Sequence, residues 1–65
     1  MTLAQRIRKE AKRQGLGIEE FRLQTGIPST TFYALLLGQT PKKVATVERV
    51  RRGLRAAGVL GAVLA

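Results

Sequence analysis

The chain has 65 residues, enough for one domain, and a domain of that size buries only about 60% of the surface its unfolded chain exposes. It holds no cysteine and no histidine, and its only carboxylates are four glutamates. Disulfides and thiolate metal sites are therefore excluded, and neither a structural zinc nor another metal or cofactor is expected. Twelve lysines and arginines bring the formal net charge to +8, an excess that calls for a polyanionic partner, most commonly nucleic acid, against the plainer alternative of a solvated basic surface.

A first helix is predicted from about Thr2 to Gln14. Leu3, Ile7 and Ala11 recur at helical spacing and give it a narrow apolar stripe; Thr2 suits the N-cap and Gly15 the position just past the end. Lys12 and Arg13 fall in the last turn, where cations complement the helix dipole. A second helix is predicted over Gly17 to Thr25, with Glu19 and Glu20 in its first turn and Phe21 as its core anchor. Gly26 punctuates the chain, Ile27 points back into the core, and Pro28 opens a third helix over Ser29 to Leu37. Phe32, Leu35 and Leu36 share one of its faces, and Gly38 closes it.

Gln39 to Lys42 is predicted as a loop, because the residue before Pro41 avoids the helical region. A fourth helix is predicted from about Lys43 to Ala57, with Val44, Val47, Val50 and Leu54 as its apolar stripe and arginines over the other faces. Gly53 inside it costs about 1 kcal/mol against alanine, which suggests a close contact with another helix. Gly58 ends it.

The tail from Gly58 to Ala65 carries no polar side chain. It is expected to be an edge strand pairing with its copy in a second subunit, through Val59, Leu60, Val63 and Leu64, with a short fifth helix or packing on its own core as the alternatives. No segment approaches the roughly 20 apolar residues of a membrane span. The start of the chain lacks the apolar core of a signal peptide, so a cytoplasmic location without a membrane partner is expected.

The stretch from Gly17 to Gly38 has the form of two short helices meeting across a tight turn on Gly26. Three segments in order, Gly15-Leu16-Gly17-Ile18-Glu19-Glu20-Phe21, Thr25-Gly26-Ile27-Pro28-Ser29-Thr30-Thr31-Phe32-Tyr33 and Thr46-Val47-Glu48-Arg49-Val50-Arg51-Arg52-Gly53-Leu54, resemble the phage repressor and Cro family, the Xre-type regulators. The resemblance covers roughly residues 3 to 57. It implies an all-α fold, a four- to five-helix lambda-repressor-like DNA-binding domain at 1–57 with the tail at 58–65 serving dimerisation or core packing. It also implies a sequence-specific regulator of transcription, most simply a repressor, that binds a palindromic operator in double-stranded DNA as a homodimer.

Carried onto this chain, the resemblance sets Ser29, Thr30, Tyr33 and Ala34 toward bases in the major groove. Arg22, Thr31, Gln39, Thr40, Lys42 and Lys43 are then the backbone contacts. Three departures bear on this. Arg22 stands where the family usually has a small residue, so either its stem snorkels toward phosphate or the two helices meet at another angle. Ile18 replaces a polar residue that touches phosphate. Ala34 and Leu37 replace residues that often hydrogen-bond to bases, so direct readout by the third helix is thin. Arg6, Arg8, Arg49 and Arg55 project on other sides and are equally well read as solvated.

No enzyme is expected, since the chain has no His, Cys or Asp and its glutamates are dispersed, without an acid–base pair. No small-molecule substrate is expected either. The principal alternative is an antitoxin or other protein-interaction module that uses the same scaffold and the apolar tail to bind a protein. RNA binding ranks lower, because only Tyr33 offers an exposed stacking ring.

Overall fold

The structure is a computed structural model, which describes residues 2–59. It contains four helices, α1 (Leu3–Arg13), α2 (Ile18–Thr25), α3 (Ser29–Leu36) and α4 (Val44–Ala56), and no strand among the described residues. The chain is therefore all-α over this range. Helix α1 packs on α2 and α3, and α4 packs on α2.

One core holds the bundle. Ile7 and Ala11 of α1, Phe21 of α2, Ile27, Phe32 and Leu35 around α3, and Val50 and Leu54 of α4 are all buried. Leu3, Leu16, Ile18, Leu36 and Val47 close its edges. The stripe expected on α1 thus lies inward, and so does most of that on α4. Val44 is the exception: it is 78% exposed. Helix α4 meets the rest of the bundle around Gly53, whose ideal Cβ would lie 2.5 Å from the carbonyl oxygen of Thr25. At about 1.5 Å of rise per residue, Val44 stands more than 10 Å up the helix from that crossing, past the core's edge.

Helix α1 opens on a complete capping box: Gln5 N–H donates to the Thr2 hydroxyl oxygen at 3.2 Å and Thr2 N–H donates to Gln5 Oε1 at 2.8 Å. Its other end is tied to α4 by Gln14, whose Nε2 donates to Glu10 Oε2 at 2.7 Å and to the Ala57 carbonyl at 2.9 Å. Helix α2 opens on half of such a box, because Gly17 has no side chain; its N–H donates to Glu20 Oε1 at 3.2 Å.

Past α4, Val59 turns back. Its N–H donates to the Leu54 carbonyl at 2.8 Å, and its side chain is only 4% exposed within the core of its own chain. Val59 thus packs on the core of its own chain, as in the core-packing alternative for the tail. Leu60, Val63 and Leu64, and with them the expected dimerisation strand, lie outside the described residues.

Candidate nucleic-acid interface

The candidate site is built from α2, the turn Gly26-Ile27-Pro28 and α3. Gly26 has φ +72° and its N–H donates to the Arg22 carbonyl at 3.2 Å. That left-handed conformation is the one glycine enters without a steric cost. Ile27 follows with 0% exposure, so both of its backbone polar groups need partners. Two side chains supply them. Ile27 N–H donates to the Thr25 hydroxyl oxygen at 3.1 Å, and Arg22 Nη1 donates to the Ile27 carbonyl at 3.0 Å. The Thr25 hydroxyl in turn donates to the Arg22 carbonyl at 2.7 Å. Pro28 is the N-cap of α3 rather than its first residue, and its carbonyl accepts from Phe32 N–H at 2.9 Å.

This turn sets the faces of α3. Phe32 and Leu35 are buried, while Ser29, Thr30, Tyr33 and Leu37 are exposed and Thr31 and Ala34 are half-buried. Ser29, Thr30 and Tyr33 therefore lie on the solvent side of one helix, with the small Ala34 beside them. Gln39, Thr40, Lys42 and Lys43 are exposed on the segment that follows. Its start is tied to α3, since Gln39 N–H donates to the Ala34 carbonyl at 3.0 Å.

Arg22 is placed differently from the other backbone-contact candidates. Its side chain is only 17% exposed. Besides the bond to Ile27, its Nε and Nη2 both donate to Glu19 Oε1, at 2.9 and 2.5 Å. The other carboxylate oxygen, Oε2, accepts the Tyr33 hydroxyl at 2.6 Å. The guanidinium is thus engaged inside the motif, where it joins α2, the turn and α3. The Tyr33 ring stands edge-on to Phe32, with centroids 5.8 Å apart and planes at 88°.

These bonds set the local titrations. The Arg22 guanidinium, and after it the Tyr33 hydroxyl, hold the Glu19 carboxyl down to about 2. The Tyr33 hydroxyl is raised, chiefly because it donates to that carboxylate. Glu10 is lowered as well, first by Arg13 and then by Gln14. A carboxylate whose pKa lies lower in the folded than in the unfolded chain contributes stability above its ordinary value of 4.5, and that contribution is lost as the pH falls through the folded value. Unfolding by urea should show a flat midpoint from neutral pH down to about 5, then a decline toward about 2. Glu19→Gln should make the decline shallower. An unchanged decline in that variant would remove Glu19 as a source of the pH dependence.

Three contributions to this site were missed from the sequence: the internal role of Arg22, the Thr25 hydroxyl and the Glu19 carboxylate. The three-residue spacing of Glu19 and Arg22 was a usable sign of an ion pair. Two more pairs follow the same spacing, Glu10 with Arg13 and Glu48 with Arg51. Arg49 and Arg52 line an open groove of about 680 Å³ against Thr25 and Gly26, so the cations of this chain do not all share the exposed face of α3. Neither a family model, nor a curated protein, nor a solved structure matches this chain.

Proposed function

We propose that this chain is a sequence-specific double-stranded DNA-binding regulator of transcription, a repressor of the phage repressor and Cro type, acting as a homodimer on a palindromic operator. The observation that carries this is the division of α3: Phe32 and Leu35 anchor it in the core while Ser29, Thr30 and Tyr33 stand exposed together on its outer side. A major groove about 12 Å wide admits one helix presented in this way. Ser29 and Thr30 offer hydroxyls that pair with several base edges, and Ala34 allows close approach. Gln39, Thr40, Lys42 and Lys43, exposed at the C-terminal side of α3, are the backbone contacts, with Thr31 at the helix edge. Arg22 braces the turn and leaves phosphate contact chiefly to the lysines.

The net charge of +8 supports a polyanionic partner. The homodimer is supported by the apolar composition of residues 60–65 and by the symmetry that a palindrome imposes, with two copies of α3 about 34 Å apart. No catalytic role belongs to this function: Glu10, Glu19 and Glu48 are each paired with an arginine, and Glu20 accepts from the Gly17 N–H. A protein partner is the alternative. The observation in its favour is that Leu23, Leu37 and Val44 are 65%, 78% and 78% exposed.

Titration of labelled duplex at several salt concentrations tests the proposal. If six phosphates are neutralised, log affinity falls against log salt with a slope of about −5. A slope near zero contradicts DNA binding. Stoichiometric capture of a protein, with no duplex bound, favours the alternative.

A further inference from the structure

The bonds around Glu19 leave that corner of the interface with an unusual polarity. A carboxylate has about four lone-pair sites and no hydrogen to give. Three of them are taken here, two N–H groups of Arg22 on Oε1 and the Tyr33 hydroxyl on Oε2. Oε2 keeps a free lone pair, on a side chain that is 54% exposed. Tyr33, 41% exposed, has directed its only hydrogen at Glu19, so toward any further group its phenol oxygen can only accept. Arg22, fixed to the Ile27 carbonyl at 3.0 Å, holds the carboxylate in place and balances its charge.

We propose that Glu19 and Tyr33 form an acceptor-only edge beside α3 that selects an exocyclic amino group, the N6 of adenine or the N4 of cytosine, at one base position of each half-site. The selection rests on the DNA-binding function proposed above. In the major groove only those two amino groups donate hydrogen bonds; guanine O6 and N7 and thymine O4 accept. An edge without a hydrogen pairs with the donors and leaves the acceptors facing lone pairs. Ser29 and Thr30, whose hydroxyls both give and accept, do not discriminate in this way.

The test is a panel of duplexes built on a bound site, with each of the four bases at each position, titrated with the wild-type chain, Glu19→Gln and Tyr33→Phe. At one position the wild type should favour adenine or cytosine over guanine or thymine by about tenfold, the scale of one hydrogen bond to a charge-assisted acceptor. Replacing the favoured base by purine or by pyrimidin-2-one, which lack only the amino group, should lose the same tenfold or so. Glu19→Gln lets its amide donate to the phenol oxygen and frees the Tyr33 hydrogen, so the preference at that position should relax toward guanine and thymine. Tyr33→Phe should weaken it. Thermal melting of both variants confirms that they are folded. Tight binding with no loss on removing the amino group, or with the same preference in both variants, overturns the proposal while leaving DNA binding intact. Failure of the wild type to bind any duplex overturns the function on which it rests, and the proposal with it.

Discussion

Gly53→Ala is expected to lower the free energy of unfolding by about 1–3 kcal/mol, the range for forcing extra volume into a packed interior. At an open helical position the same change would raise stability by about 1 kcal/mol. The sign is reversed here by one contact. The added Cβ would lie 2.5 Å from the Thr25 carbonyl oxygen and 3.1 Å from Ile27 Cγ1. The first of these is backbone at the end of α2, which cannot swing aside as a flexible side chain would, so α4 must move. For a domain this small, with roughly 5 kcal/mol of stability in all, that is a large fraction. Urea denaturation of the two proteins measures it. A gain in stability would show that α4 does not approach the turn as closely as described. The same displacement would disturb Thr25 and Ile27, which set the course of α3, so duplex affinity should fall along with stability.

Thr30→Glu is expected to do the opposite of Gly53→Ala: it should leave the fold intact and remove DNA binding. Thr30 is exposed and lies in the first turn of α3, which has no acidic residue. A carboxylate there meets the positive end of the helix dipole and should stabilise the helix by about 0.3–1 kcal/mol. Facing a duplex, the same carboxylate meets the phosphate field and carbonyl-rich base edges. Like charges brought together at an interface cost several kcal/mol, so affinity should fall by about 100-fold or more. Melting temperature and duplex titration on one preparation separate the two effects. A variant that melts like the wild type and still binds DNA equally well would place the interface away from α3.

The order of elements was legible because it is written in punctuation. The glycines at 15, 26, 38 and 58, all with positive φ, and Pro28 divide the chain into four apolar-periodic segments, and each helix lies within a residue or two of its predicted bounds. The close contact at Gly53 was legible for the same reason, since an unexplained glycine inside a helix signals a near neighbour. Val44 was not, because periodicity identifies a face but not how far along the helix the core extends. At Val59 the sequence left dimerisation and core packing both open, because an apolar residue covers its own core as readily as a partner's, and composition does not distinguish the two.

At the candidate site, the exposed positions of α3 followed from where Phe32 and Leu35 had to go. The three-way contact of Glu19, Arg22 and Tyr33 did not. It depends on side-chain reach across two helices, the bond from Tyr33 to Glu19 spanning fourteen positions in sequence. Taken alone, Arg22 reads as a cation awaiting phosphate. With its partners in place it is the group that satisfies a buried carbonyl and aims a carboxylate.

Selection of bound sites from a random duplex pool, run in parallel with the wild-type chain and Thr30→Glu, tests most directly whether α3 reads DNA. The wild type should enrich a palindrome whose half-sites are centred about one helical turn apart, and Thr30→Glu, equally folded, should enrich nothing. Enrichment of the same sites by both proteins, or of none by the wild type, would contradict it.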